Sequence, residues 1–358
     1  MDCMSDDVIS NAWRFSRDDG SIVAPLIRFL PCGIVGGYTH RSERSWRFRN
    51  GFLEFLDIDD VVTTQFSDIQ YDFAGVVRMT GPYRFNSNIQ HVLDRVPMPT
   101  ALDFGQSSRQ SQAEFVRKLT RESRSGRRNL VVIRANEFSL HPSWDRNIDE
   151  SDRNWDLCVS WYGHEPVKDP GTCEYLTIQP EDRKFGAIHA LFQPESPLWD
   201  YDQIWLPDDD IRTNWRDINR LFSICRRHRF ELSQPCLEPG SFVNHKVTAM
   251  DDEYSLRYTN FVEVMCPLFS RDALRLCLPT FNGSISGFGL DHIWPCLLGR
   301  VHTRMAIIDD VAVAHTRPLG QNYDVSKAVA EAEKIQTLYG SGTPFTTVGG
   351  LLKDATLL

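Results

Sequence analysis

The sequence has no closely spaced cysteine pair and no long apolar run. Nine cysteines are scattered singly over 358 residues, and none is followed by another three positions later. An odd, scattered set is typical of reduced thiols in a cytoplasmic protein rather than of a disulfide framework or a cysteine-ligated zinc site. The most apolar early stretch, residues 21–37, contains Arg28 and two prolines and falls short of the ~20 apolar residues that span a bilayer. The first seven residues are acidic, unlike the basic start of a secretory signal, so we predict a soluble, cytoplasmic protein.

The chain also lacks an excess of basic charge. It has 39 lysines and arginines against 48 aspartates and glutamates, which gives a net charge of −9. Proteins that bind nucleic acid usually carry a basic surface, so this composition argues against that class. An anionic substrate would need locally placed cations instead. A bound metal ion is one way to supply them.

A polar, basic stretch over residues 105–129 divides the chain into two regions. We predict an N-terminal domain of unknown role at residues 1–125 and a larger domain at residues 126–322. A C-terminal helix and tail are predicted at residues 323–358.

The N-terminal region is predicted to be a separate, smaller α+β domain. Residues 44–60 alternate as strands do, and residues 88–96 have the spacing of a short helix. Within the polar stretch, Phe115 and Leu119 are spaced as on one face of a short helix. No chemistry stands out in this region, so no function is predicted for it.

The second region alternates short apolar runs with segments of helical spacing. This alternation predicts an α/β domain built on a mostly parallel sheet. Ligands of such sheets bind outside the carboxyl ends of the strands. The predicted strands are residues 128–136, 155–163, 174–179 and 201–207, and the predicted helices are residues 182–193 and a segment with apolar positions Ile211, Trp215, Ile218, Phe222 and Cys225.

Three adjacent aspartates, Asp208, Asp209 and Asp210, follow the fourth of these strands. Acidic residues near a helix start stabilise its dipole by ~0.3–1 kcal/mol each, and one aspartate would satisfy that role. Ionised carboxylates at the end of a buried strand must keep water or find a cation. Mg²⁺ and Mn²⁺ prefer such oxygen ligands, so the three aspartates are a candidate metal site.

Two further residues are candidates for the same site. Asp291 follows a glycine-rich loop and opens an apolar helix, where an acid can also serve only as a helix cap. His315 ends an apolar strand before a Pro-Leu-Gly turn, a position that is also common for a structural histidine. Taken alone, each residue is also consistent with a purely structural role.

The order of five sequence blocks resembles the domain of unknown function 707 family, whose members are similar to GT-A glycosyltransferases. The likeness covers about residues 128–322 and implies a GT-A-like, Rossmann-like fold for that part of the chain. The blocks are YDQIWLPDDDI, ELSQPCLEP, FVEVMCPLFSRDALR, GFGLDHIW and VAHTRPLG.

The resemblance implies a divalent metal, Mn²⁺ or Mg²⁺, held by an Asp-X-Asp motif. Asp208 and Asp210 match the outer positions of that motif and Asp209 the middle one. A register shifted by one residue, with Asp209 as a ligand, stays open. His315 matches the block in which many GT-A enzymes place a further metal ligand.

The resemblance also implies roles in donor binding and catalysis. Asp291 resembles the general base of inverting enzymes, and Lys184 resembles a basic donor-binding residue. Asp208 and Asp209 would also contact the donor through the metal site. The strand ends implied to border the nucleotide are Arg134, Ala135 and Asn136 and, on the next strand, Trp161, Tyr162 and Gly163.

The function expected from these features is a metal-dependent, inverting glycosyltransferase. It would move a sugar from a nucleotide-diphosphate sugar to a hydroxyl acceptor, such as a glycan in polysaccharide synthesis. Two alternatives stay open: a catalytically inactive module that binds nucleotide sugar or glycan, and a metal-dependent phosphohydrolase.

Overall fold

The chain forms two compact units in a computed structural model. The first unit comprises Met1–Asp103, His292–Arg300 and Ala330–Thr343, and the second comprises Phe104–Asp291, Val301–Val329 and Pro344–Leu358. No helix among the described residues is long and apolar enough to cross a membrane. The structure describes residues 3–29, 33, 35–36, 38, 40–96, 114–118, 126–167, 173–180, 183–282, 284–298, 302–318, 324–339 and 347–353.

Antiparallel strands make up most of the described part of residues 1–103. The elements are α1 (Cys3–Ser10), β1 (Ala12–Arg17), β2 (Ile22–Phe29), β3 (Val35–Gly36), β4 (Ser45–Arg49), β5 (Phe52–Leu56), β6 (Val62–Phe66), β7 (Asp68–Asp72), β8 (Gly75–Pro82) and β9 (Gln90–Val96). They form a six-stranded sheet of order β3-β2-β1-β9-β8-β7 and a three-stranded sheet of order β4-β5-β6.

One aromatic core joins these two sheets. Trp13, Phe15 and Phe29 of the larger sheet share a buried cluster with Phe55 and Phe66 of the smaller sheet. The ring centroids of Phe15 and Phe55 are 5.4 Å apart in an edge-to-face arrangement, as aromatic pairs prefer. The strands expected in residues 44–60 are present as β4 and β5.

The prediction of a short helix at residues 88–96 is wrong. This segment is β9, which pairs antiparallel with β1 on one side and β8 on the other. Its apolar residues Val92 and Leu93 are buried, so burial between two strands outweighs a helical spacing over only nine residues. Apart from α1, the named elements of residues 1–103 are therefore strands.

Beyond residue 103, strands and helices alternate along the chain, and the described strands form one mixed sheet. The described elements are β10 (Phe115–Lys118), β11 (Asn129–Ala135), β12 (Trp155–Trp161), β13 (Tyr175–Ile178), α2 (Lys184–Leu191), β14 (Gln203–Trp205), β15 (Ile211–Arg212), α3 (Trp215–His228), β16 (Leu232–Leu237), β17 (Tyr254–Thr259), β18 (Leu268–Ser270), α4 (Arg271–Cys277), α5 (Leu290–Leu297), β19 (Met305–His315), α6 (Val325–Tyr339) and β20 (Thr347–Leu352). The sheet order is β10-β13-β12-β11-β14-β18-β16-β19-β17-β20, and β15 pairs with β19. Most of α5 and α6 belongs to the first unit.

Only part of this sheet is parallel, which corrects the expectation of a mostly parallel one. The four strands predicted from apolar runs, β11 to β14, are parallel neighbours. β16 and β19 form a further parallel pair. Beyond β14 the chain returns through β18, which is antiparallel to both β14 and β16, and β17 and β20 are also antiparallel. The fold is mixed α/β.

The segment at Phe115 is a strand rather than the expected helix. β10 pairs antiparallel with β13, whose outer edge offers unpaired backbone groups to a short extended segment. Residues 97–113 and 119–125 lie outside the described residues. The boundary predicted between residues 125 and 126 therefore stays a prediction.

The helix predicted after the aspartates is α3, and it begins later than expected. Asn214 caps it by accepting hydrogen bonds from the backbone N–H groups of Arg216 and Asp217. Ile218 and Phe222 on its apolar face are buried. Ile211 lies before the cap, in β15, where it is paired with β19. This short strand is what brings the aspartates to the end of β19.

Candidate functional site

Three potential metal ligands converge where β14 and β19 end. Asp208, Asp210 and His315 each place one potential ligand atom within 4.8 Å of those of the other two. The pairing of β15 with β19 sets Ile211 opposite His315, so the preceding Asp210 meets the residues at the end of β19. Thr316 fixes this register, because its backbone N–H and its hydroxyl both donate to the carbonyl of Asp210, at 3.3 and 2.8 Å.

The ring of His315 is oriented by a backbone carbonyl. Nδ1 lies 2.9 Å from the oxygen of Phe242, which can only accept, so Nδ1 carries a proton and donates it. In the neutral ring, Nε2 then presents a lone pair, and it lies 3.4 Å from Oδ2 of Asp210. Both atoms can therefore act as ligands of a cation placed between them. Metal-binding histidines are oriented in this way, with the second ring nitrogen bonded to a carbonyl or carboxylate.

Asp210 is a buried carboxylate in an unfavourable environment. Its residue is 5% exposed, and burial, together with the nearby charge of Asp208, raises its pKa to about 6 from an ordinary value of 3.8. His315 opposes this shift. A divalent cation would neutralise such a charge, so the chemistry of the donor set fits a cation.

Asp209 has different partners from Asp208 and Asp210. Its Oδ2 accepts hydrogen bonds from the hydroxyls of Ser139, at 3.0 Å, and Tyr162, at 2.9 Å. Arg317 approaches Oδ1 at 3.4 Å. The carboxylate thus points toward the ends of β11 and β12, whereas Asp208 and Asp210 point toward His315.

Lys184 lies directly beside the three converging residues. Its ammonium donates to Oδ1 of Asp208 at 2.7 Å and to the carbonyls of Val264 and Met265 at 2.8 and 3.0 Å. Its three N–H donors therefore all have protein acceptors in this state. Contact of Lys184 with a donor molecule would require it to change partners, and its predicted role stays a prediction.

The predicted strand-end residues divide into an inward and an outward group. Arg134 is buried and donates to Ser160 and to the carbonyl of Gln179, and Ala135 and Trp161 are buried as well. Asn136 and Tyr162 face the aspartates instead. The amide of Asn136 donates to the Tyr162 hydroxyl at 2.8 Å, and that hydroxyl in turn donates to Asp209.

Gly163 belongs to the same edge of the sheet. A side-chain carbon at this position would lie 2.3 Å from a carboxylate oxygen of Glu137, which can shift, and 2.7 Å from the buried ring of Trp161, which is harder to displace. The role of these positions in binding a nucleotide stays a prediction.

Asp291 lies in the first turn of α5 and is 5% exposed. The loop before it turns at Gly287 and Gly289, whose φ angles are 83° and 90°, in the region that favours glycine. The loop and helix expected from the sequence are therefore present. The catalytic role of Asp291 stays a prediction.

Arg317, a charged residue beside the site, was not predicted. It lies two residues after His315, and besides Asp209 it binds the carbonyl of Phe138 at 2.8 Å. Its position just after His315 in the sequence could have identified it. Glu263, which the sequence offers as the next candidate for the general base after Asp291, is buried next to the site.

No protein-family model and no curated protein matches the chain. Among solved structures, a fragment of S. aureus TarS in complex with UDP-GlcNAc is similar to it, with a TM-score of 0.38 and 12% identity over 59% of this chain and 70% of that one. A mycobacterial protein has a TM-score of 0.33 and 12% identity over 61% of this chain and 77% of that one. Likeness at these TM-scores carries no argument about function.

Proposed function

We propose that this protein is a divalent-metal-dependent glycosyltransferase that uses a nucleotide-diphosphate sugar as donor and a hydroxyl group, such as that of a glycan, as acceptor. The observation that carries the proposal is the convergence of Asp208, Asp210 and His315, with the imidazole lone pair directed at a buried carboxylate. The family resemblance of the sequence blocks around these residues supplies the reaction class.

The donor set suits Mn²⁺ or Mg²⁺. Asp208, Asp210 and His315 would hold the ion, since two carboxylates and one imidazole are ligands that these ions accept. A bound divalent cation stabilises the negative charge that develops on a diphosphate leaving group.

Two protein cations flank the site and would support the same charge. Lys184 contacts Asp208, and Arg317 contacts Asp209. The planar guanidinium of Arg317 is partly exposed and well suited to bind phosphate oxygens, and Lys184 would add positive charge beside them.

Removal of the acceptor proton is assigned to Asp291. The helix dipole favours a carboxylate in the first turn of a helix, and the ionised form is the one that accepts a proton. Attack by the hydroxyl then forms the new sugar–oxygen bond as the bond to the diphosphate breaks. The proton passes to the carboxylate. One displacement inverts the anomeric centre.

Donor binding and turnover separate this proposal from its alternatives. We expect nucleoside diphosphates and their sugars to raise the melting temperature only with Mn²⁺ or Mg²⁺, and Asp210→Asn to abolish that shift. Asp202→Asn is the matched control, because Asp202 precedes β14 at the opposite end of the same strand and pairs with Arg128 instead.

Turnover then identifies the class. Transfer of sugar to a hydroxyl acceptor with inverted configuration supports the proposal. Donor binding without turnover for any acceptor would favour the binding module. Hydrolysis of the donor at the full rate without acceptor would favour the phosphohydrolase.

A further inference from the structure

Glu263 is a buried carboxylate with one unused oxygen. The residue is 4% exposed, and its Oε1 accepts a hydrogen bond from the amide of Asn244 at 3.0 Å. Its Oε2 is buried and has no hydrogen-bond partner among the described residues. A buried acceptor left unsatisfied costs about 1–3 kcal/mol, more when it is charged. The hydrogen bond from Asn244 uses only one of the two carboxylate oxygens, so it does not explain why the second oxygen is buried.

The residues that follow Glu263 bind Lys184. The carbonyls of Val264 and Met265 accept two of the N–H groups of the Lys184 ammonium, and Asp208 accepts the third. The backbone N–H of Asp208 also donates to the carbonyl of Met265, at 2.8 Å. Glu263 is thus adjacent in the chain to the acceptors that hold Lys184 against Asp208.

The partner of Glu263 belongs to the loop that orients His315. Asn244 lies two residues after Phe242, whose carbonyl accepts the Nδ1 proton of His315. Burial raises the pKa of Glu263, the hydrogen bond from Asn244 and the charge of His315 lower it, and Asp208 raises it. Glu263 therefore lies within electrostatic range of both sides of the candidate metal site.

A cation at Asp208 and the ammonium of Lys184 compete for the same carboxylate. Lys184 is 2.7 Å from Oδ1 of Asp208, so a divalent ion held by Asp208 would repel it at close range. The ammonium would keep two carbonyls but lose the one anionic group that it contacts among the described residues. A partly buried ammonium without a counter-ion is costly.

We propose that Glu263 is the second partner of Lys184: when a divalent cation takes Asp208, the ammonium passes from Asp208 to the unused oxygen of Glu263. The exchange keeps the hydrogen bonds of Lys184 complete and satisfies the Glu263 oxygen. It leaves both aspartates to the cation. Glu263 is on this account a positioning residue that acts through Lys184, and the inference rests on the proposed metal site.

The test is a double-mutant cycle on cation affinity, with Mn²⁺ alone as the probe and calorimetry as the readout. Glu263→Gln should weaken Mn²⁺ binding about tenfold or more, within the range for residues that support metal ligands. In the Lys184→Met background, which removes the competing ammonium, the same substitution should change the affinity by less than about threefold. Glu54→Gln is the matched control, since Glu54 is equally buried, pairs with Arg47 and belongs to the first unit.

The outcomes separate the two hypotheses. Equal weakening by Glu263→Gln in both backgrounds, or no weakening in either, would overturn the exchange. Absence of Mn²⁺ binding in the unmodified protein would overturn the proposed metal site instead. If Glu263→Gln does not fold, Glu263→Leu, which leaves no polar atom in the buried position, replaces it in the same experiment. The same effects on Mn²⁺ affinity are expected.

Discussion

Asp210→Asn should make the metal-free protein more stable at neutral pH, because it removes a charge that the fold holds at a cost. The folded pKa of Asp210, about 6, lies above its ordinary value of 3.8. The folded chain therefore binds more protons than the unfolded chain between these two values, and the free energy of unfolding falls as pH rises through this window. The difference between these two pKa values corresponds to a loss of about 3 kcal/mol in the free energy of unfolding once Asp210 is fully ionised.

The assay is urea unfolding in the presence of EDTA at pH about 7.5 and at pH about 4, where most of the Asp210 carboxyls are protonated in the folded state. We expect Asp210→Asn to raise the free energy of unfolding by up to about 3 kcal/mol at the higher pH, and by far less at the lower pH. Asp202→Asn should instead lose up to about 1 kcal/mol, because it breaks an exposed ion pair with Arg128. Destabilisation by Asp210→Asn at both pH values would refute the reasoning, since it would make the carboxylate a favourable structural contact.

Two further substitutions test the flanking charge and the base. Arg317→Ala should weaken the binding of a nucleoside diphosphate about tenfold through the loss of a charge-assisted contact, while Mn²⁺ affinity measured alone stays unchanged. A matching loss of Mn²⁺ affinity would show that Arg317 shapes the aspartates rather than the phosphate site. Asp291→Asn should leave donor binding intact and slow sugar transfer at least ~10²-fold in a single-turnover assay, since the amide cannot accept the proton. Near-normal turnover by Asp291→Asn would move the base to another residue.

Strongly patterned elements could be predicted from the sequence, and elements defined by their neighbours could not. The apolar run of β11 and the periodicity of α3 carry their own signal, because each buries a long continuous face. β9 is as long as β11 but has the spacing of a helix, and β10 is short; each is a strand because an adjacent strand supplies its hydrogen bonds. No local pattern contains that information.

The same distinction applies to the candidate site. The aspartates and His315 stand out because each comes at the end of an apolar segment, and Asp291 stands out because it lies between a glycine-rich loop and an apolar helix. The separate contacts of Asp209 depend on Tyr162 and Ser139, which lie far away in the sequence. The unpaired oxygen of Glu263 is a property of three-dimensional packing, which the sequence does not show.

The proposed metal site is tested most directly by anomalous diffraction from crystals grown with Mn²⁺. The proposal predicts one strong peak at about 2–2.3 Å from a carboxylate oxygen of Asp208, a carboxylate oxygen of Asp210 and Nε2 of His315. A crystal of Asp210→Asn prepared in the same way should lack the peak. A peak elsewhere with the three side chains unchanged, or no peak at a concentration that saturates the protein in solution, would contradict the assignment of this site.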